Sequence, residues 1–81
     1  MVSCRPSLAS AGMDERRALG LQIRAAREEA GLSQEELAHR SAIHVTYLSG
    51  LENGKRNPSF LVLMRLANAL GFRLGELIGK I

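Results

Sequence analysis

The sequence predicts an all-α protein, a compact five-helix bundle, from its composition, its apolar spacing and its helix start and stop residues. Aromatic residues make up only 4% of the 81 residues and tryptophan is absent, whereas a β-sandwich needs more aromatic and β-branched side chains. Apolar residues recur every three or four positions, as on one face of a helix. Five such segments are separated by the glycine, serine and proline residues that begin or end helices.

The first helix is expected to have Asp14 as its N-cap, Ile23 on its apolar face and Gly31 as its stop. Residues 1–12 are rich in serine, alanine and glycine, a composition typical of a flexible tail. The sequence therefore predicts an N-terminal tail over 1–12 and a single domain over 13–81.

Two short helices joined by a tight turn are expected next. Ser33 and Glu36 have the spacing of a capping box, in which each residue bonds the other's backbone N–H, so the second helix begins there. It runs to about Arg40, and after a break near 41–42 the third helix covers about 44–53. Such a pair is a common device for holding one helix in the major groove of DNA.

A fourth helix is expected to begin at Pro58 and Ser59 and to end at Gly71. Its inward face would consist of Phe60, Leu63, Leu66, Ala67 and Leu70. A fifth, short helix covers about residues 74–79.

Several apolar residues of the last two helices do not fit on this inward face, and such patches are usually covered. We expect them to form a homodimer interface, although the fifth helix could instead fold over part of the patch. The candidate interface residues are Leu61, Met64, Leu74, Leu77 and Ile78.

The third helix has the division of faces that a recognition helix needs. Leu48 and Leu51 would anchor it to the domain, and the remaining residues would face outward or sideways. Thr46 and Ser49 could bond base edges or phosphates, and Val45 could pack on a thymine methyl group. A glycine within this helix, Gly50, would be explained by close approach to DNA.

Residues around the third helix could hold the DNA backbone. Gln34 lies in the first turn of the second helix, where free N–H groups favour phosphate. Lys55 and Arg56 supply charge just after the third helix, and His44 lies close to its start. The net charge of +3 suits a nucleic-acid partner without requiring one.

Three stretches now identify a resemblance: IRAAREEAGLSQEELA, YLSGLENGKRNPS and LMRLANALG. Residues 19–78 resemble the phage repressor/Cro (XRE) family of helix-turn-helix DNA-binding domains. The resemblance implies a lambda-repressor-like fold and a structural ion pair between Arg27 and Glu52. It also implies a phosphate contact by Gln34.

Within that family, TYLSGLENGKRNPS most resembles the controller proteins of restriction–modification systems, which are small dimeric regulators. The resemblance implies DNA contacts at Thr46, Tyr47 and Arg56. The candidate DNA-binding residues are therefore Gln34, His44, Val45, Thr46, Tyr47, Ser49, Gly50, Asn53, Lys55 and Arg56.

Two positions depart from the family pattern. Ala42 stands where the turn usually has glycine, and it would have to adopt a strained backbone if the turn keeps its usual shape. Val45 stands where a long polar base reader is common. The expected fold tolerates both departures.

Structural roles remain open for several candidates. Tyr47 could be a packing residue whose hydroxyl reaches water, and Lys55 and Arg56 could form an ordinary solvated loop. The hydroxyls of Thr46 and Ser49 could merely solvate the third helix. Arg27 and Glu52 could each be surface charges.

The leading functional hypothesis is a homodimeric regulator bound to double-stranded DNA. An alternative is an antitoxin or adaptor that chiefly binds a partner protein. No catalytic motif is recognisable, and the single cysteine, Cys4, excludes a disulfide framework and a cysteine–histidine metal cluster. We therefore expect no enzyme, no cofactor and no metal site. No apolar run approaches the roughly 20 residues of a membrane span, so we expect a cytoplasmic protein without a membrane partner.

Overall fold

Five helices form the protein in the computed structural model, which describes residues 8–78. The helices are α1 (Leu8–Glu29), α2 (Gln34–Ser41), α3 (Val45–Glu52), α4 (Phe60–Leu70) and α5 (Leu74–Ile78). Residues 8–78 contain no strand. The expected all-α, five-helix architecture is confirmed.

One core joins all five helices. Its buried side chains are aliphatic: Ile23, Ala26, Leu37, Ala38, Leu48, Leu51, Leu66, Ala67 and Leu77. Helix α1 packs on α3 and α5, while α2 packs on α3 and α4. Because the α2–α3 pair lies between the longer helices, its relative orientation is fixed from both sides.

Helix α1 begins earlier than expected. It starts at Leu8, so residues 8–12, assigned above to a tail, are helical, and Asp14 lies inside the helix rather than at its N-cap. The stretch before Asp14 consists mostly of alanine and other residues that tolerate a helix, and its single glycine, Gly12, does not end one. Residues 1–7 lie outside the described part of the chain.

Serine caps begin α2 and α4. The Ser33 hydroxyl accepts the Glu36 N–H at 3.0 Å, and the Glu36 carboxylate accepts the Ser33 N–H at 2.9 Å. The bond from the Ser33 N–H to the carboxylate lowers the pKa of Glu36, and hydrogen bonding with the Ser33 side chain lowers it further. The Ser59 hydroxyl accepts the Val62 N–H at 3.2 Å. Both helices therefore begin where the sequence predicted.

The turn between α2 and α3 keeps its usual left-handed shape at Ala42, with φ of 59° and ψ of 42°. It is closed by a 3.0 Å bond from the Ile43 N–H to the Ala38 carbonyl. For an L-residue other than glycine, this conformation costs roughly 1–2 kcal/mol. The strain expected for alanine at this position is present.

Helices α1 and α3 meet at Gly20, which is buried. A Cβ atom at this position would lie against the carbonyl oxygens of Leu51 and Glu52, the latter at 2.7 Å. A side chain would therefore force the two helices apart. The glycine allows α1 to touch the last turn of α3 backbone to backbone.

Candidate nucleic-acid interface

A paired, largely buried carboxylate fixes the end of α3. Arg27 donates from Nε to Glu52 Oε2 at 2.7 Å and from Nη2 to Glu52 Oε1 at 3.0 Å. The two side chains are only 11% and 3% exposed. Arg27 Nη1 also donates to the Leu32 carbonyl at 2.9 Å. The structure thus brings together the two residues expected to pair and ties α3 to α1.

The arginine is held in its charged form. Hydrogen bonding to Glu52 raises the pKa of Arg27, and this outweighs the lowering by burial. Removing either partner would leave a buried charge without its counter-ion, at a cost of about 3–5 kcal/mol. The pair therefore belongs to the scaffold that presents α3.

Gln34 joins the same carboxylate from α2. Its Nε2 donates to Glu52 Oε1 at 2.9 Å, and the side chain is half-buried. One carboxylate therefore links the first turn of α2, the last turn of α3 and the last turn of α1. The expected phosphate contact of Gln34 stays a prediction, and here the side chain already has a protein partner.

Helix α3 has an apolar inner side and a polar outer side. Leu48 and Leu51 are buried, whereas Thr46 is exposed and Ser49 is half-buried. Val45 and Tyr47 are half-buried and pack against the core. Thr46 is therefore the most accessible of the candidate base readers on this helix.

The start of α3 differs from the starts of α2 and α4. His44 is its N-cap and is exposed, but its side chain makes no capping hydrogen bond. The first backbone N–H groups of α3 are not capped by this side chain. The positive end of a helix dipole favours an anion at such a position.

The loop after α3 is anchored to the helix that it follows. The Lys55 N–H donates to the Gly50 carbonyl at 2.8 Å, and the Gly54 N–H donates to the Leu51 carbonyl at 3.1 Å. Asn53 Nδ2 donates to the Ser49 carbonyl at 2.9 Å. Lys55, Arg56 and Asn57 are all exposed. The backbone of the loop is therefore fixed to the end of α3, and the basic side chains that it carries are exposed.

Two arginines that sequence reasoning did not single out lie beside α3. Arg17 and Arg24 of α1, with Leu21 between them, line a shallow cleft next to Glu52 and Asn53. Their spacing, seven residues apart with Leu21 between, places them on one helix face and could have revealed them. Arg24 is paired with Glu28 at 3.2 Å. Arg17 and Arg24 therefore place two basic side chains of α1 next to the end of α3, with the carboxylates of Glu28 and Glu52 beside them.

The outer face of α4 exposes a cluster of large apolar side chains. Phe60 is 68% exposed, Leu61 is 55% exposed and Met64 is 40% exposed. We call these three residues the α4 apolar face. The exposure of Leu61 and Met64 is consistent with the interface expected for them.

Two expectations about the last helices were wrong. Leu77, expected at the interface, is 0% exposed, because α5 folds back onto α1 and α4 and carries this side chain into the core. Phe60, expected in the core, lies in the first turn of α4 and is 68% exposed. The side chains of Leu74 and Ile78 lie outside the described part of the structure.

Among the described residues, no group of three or more histidine, cysteine, aspartate or glutamate side chains is placed to hold a metal ion. No helix in the same part of the chain has the length and apolar character needed to cross a membrane.

The amino-acid sequence is similar to those of known proteins. Residues 23–77 match the sequence profile of the helix-turn-helix family. An HTH-type transcriptional regulator of Sinorhizobium fredii (strain NBRC 101917 / NGR234), y4dJ, is 46% identical over 66 residues, which are 82% of this chain and 86% of the relative. The control protein C.MunI of a Mycoplasma species is 42% identical over 55 residues, 68% of this chain and 74% of that protein.

A solved structure is also similar. The restriction–modification controller protein C.AhdI from Aeromonas hydrophila superposes with a TM-score of 0.78 at 38% sequence identity. The match covers 79% of this chain and 97% of that chain. The resemblance to controller proteins, first seen in the residues around α3, is confirmed.

Proposed function

The chain belongs to the helix-turn-helix family of DNA-binding transcriptional regulators, and from this premise we propose that it binds an inverted-repeat operator as a homodimer. Each protomer places α3 in the major groove of one half-site. The observation that carries the proposal is the clamped α3: Glu52 at its end is bonded to Arg27 and Gln34. A helix held in this way keeps its outer side chains in a fixed position before DNA arrives.

In this proposal the contacts divide into two kinds. Thr46 and Ser49 read base edges from the outer side of α3, and Val45 packs on a thymine methyl group. Lys55 and Arg56 hold phosphates on one side of the groove. Each phosphate contact adds affinity and salt dependence, whereas each base contact adds sequence discrimination.

Further contacts are proposed around both helix ends. Gln34 and His44 lie at the starts of α2 and α3, where backbone N–H groups and the helix dipole attract phosphate. Asn53 and Tyr47 flank the outer side of α3, and the half-buried ring of Tyr47 leaves only part of its surface for DNA.

The homodimer is proposed to form through the α4 apolar face. Exposed apolar clusters of this kind are usually covered in a working assembly. A two-fold axis would place the two α3 helices about 34 Å apart, one turn of DNA, which requires an inverted repeat. A weak dimer would couple DNA binding steeply to protein concentration.

The proposal is tested by selecting duplexes from a randomised library and measuring their affinity by fluorescence anisotropy at two salt concentrations. We expect enrichment of an inverted repeat with half-sites about one helical turn apart. Thr46→Ala should weaken binding to the selected duplex about five- to 100-fold while changing binding to a shuffled duplex much less.

Glu29→Gln, which changes an exposed side chain at the end of α1, serves as the control and should leave the discrimination between the two duplexes unchanged. If no sequence is enriched, or if Thr46→Ala and Glu29→Gln behave alike, α3 does not read the sequence. The favoured alternative would then be a partner protein bound by the same fold.

A further inference from the structure

We propose that Gly50 is a positioning residue: it leaves a space on the surface of α3 in which the side chain of Arg56 is held for DNA. This inference rests on the proposed function, because it concerns how one of the proposed DNA contacts is placed. It differs from the expectation that Gly50 itself approaches DNA closely.

The space beside Gly50 is already filled. A Cβ atom at Gly50 would lie 2.7 Å from Arg56 Cγ, 3.3 Å from Arg56 Nε and 3.6 Å from Arg56 Cδ. Three successive atoms of the arginine side chain therefore lie over the Gly50 Cα. Because real Cβ contacts essentially never fall below 3.0 Å, any other residue at position 50 would require Arg56 to move.

The backbone brings Arg56 to this place. The Lys55 N–H donates to the Gly50 carbonyl at 2.8 Å, so the chain returns across the last turn of α3 just before Arg56. From the loop, the side chain of Arg56 passes over Gly50. The contact thus depends on both the loop and the absent side chain.

Holding an arginine on a helix surface has a physical advantage. A free arginine side chain loses much rotamer entropy when it binds. Contact of its aliphatic part with α3 removes some of that freedom before DNA arrives, which strengthens binding. Glycine within a helix weakens the helix relative to alanine. Gly50 therefore lowers the stability of α3, but it leaves the space in which Arg56 is held.

If Gly50 has this role, its replacement by alanine should raise the stability of the protein and lower its affinity for DNA. Gly50→Ala, Arg56→Gln and the double variant are compared on the selected duplex by fluorescence anisotropy, and their stability is measured by urea unfolding. Because Arg56 is proposed to hold phosphate, we expect Arg56→Gln to weaken binding to the selected and shuffled duplexes alike and to reduce the salt slope by about 1. Gly50→Ala should lose a similar amount of affinity while becoming more resistant to urea, and the double variant should bind no more weakly than Arg56→Gln alone.

Gly75→Ala is the matched control, since a Cβ there meets nothing within 4 Å and the residue also lies in a helix. It should leave the affinity unchanged. Losses that multiply in the double variant would show that Gly50 contacts DNA independently of Arg56 and would overturn the proposal, as would full affinity in Gly50→Ala. Failure of the unaltered protein to select any duplex would instead contradict the proposed function.

A second readout needs no DNA. In the free protein, we expect a nuclear Overhauser effect between the Gly50 Hα protons and the Arg56 Hγ protons, because these groups are in contact. Its absence in the free protein would contradict the positioning role even if both variants bound DNA weakly.

Discussion

At the residue scale, Ala42 is the position where the chain's local preference and its fold disagree. The backbone there is left-handed, with φ of 59°, and the side chain is exposed. Ala42→Gly should therefore relieve strain without removing a packing contact. We expect a stabilisation of about 1 kcal/mol, measured by thermal and urea unfolding.

The matched control for this change is Ala25→Gly, at an exposed position within α1. There the same substitution should destabilise the protein by about 1 kcal/mol, because helical residues favour alanine over glycine. If both variants lost stability, the turn at Ala42 would not be strained in solution.

The sequence predicted the strain at Ala42 but not the role of Gly20. The strain at Ala42 was predictable, because a family resemblance says which conformation that position adopts. The contact between Gly20 and the backbone of α3 was not, since it joins residues about 30 positions apart. Nothing in the local pattern distinguishes Gly20 from a glycine that merely interrupts a helix.

At the element scale, the His44 side chain at the start of α3 makes no capping hydrogen bond. His44→Asp would supply an oxygen acceptor for the N–H groups of the first turn and a negative charge at the positive end of the helix dipole. We expect stability to rise by about 1 kcal/mol in urea unfolding. The same charge would repel phosphate, so affinity for the selected duplex should fall.

His44→Ala separates these two effects, because it supplies neither a cap nor a charge. It should leave stability nearly unchanged and weaken DNA binding less than aspartate does. Tighter DNA binding by the aspartate variant would contradict the assignment of His44 to the phosphate-contacting surface.

Helix starts were predictable where a side chain determines them. Ser33 and Ser59 begin α2 and α4 because their hydroxyls accept backbone N–H groups within the next turn. Asp14 has the same chemistry, but the residues before it also tolerate a helix, so α1 continues through it. A capping residue therefore marks the start of a helix only when the residues before it favour a non-helical conformation.

At the scale of the whole molecule, the α4 apolar face is where we expect two protomers to meet. Leu61→Glu should shift the protein from dimer to monomer in analytical ultracentrifugation, because the dimer would bury a charge. Binding to the inverted repeat should weaken at least tenfold, with the loss recovered in part at high protein concentration.

Leu21→Glu is the matched control, since Leu21 of α1 is 57% exposed and Leu61 is 55% exposed. It should leave the oligomeric state unchanged. An unaltered protein that is monomeric at high micromolar concentration would contradict the homodimer and leave the α4 apolar face for a different protein.

The sequence predicted the exposed surface of α4 and α5 less completely than it predicted the fold. Apolar spacing correctly indicated that α4 has more apolar residues than one core can bury. It could not tell that Leu77 turns inward and Phe60 outward, because that depends on how α5 folds back and on where the core ends along α4.

The single carboxylate that fastens α3 has a further consequence for how such a protein can change its target. Glu52, Leu48 and Leu51 hold the helix from its inner side and its end, so the exposed Thr46 adds little to the fold. Thr46 can therefore be replaced without unfolding the domain. Under the proposed function, substitution of Thr46 would change the preferred DNA sequence while the fold of the domain is kept.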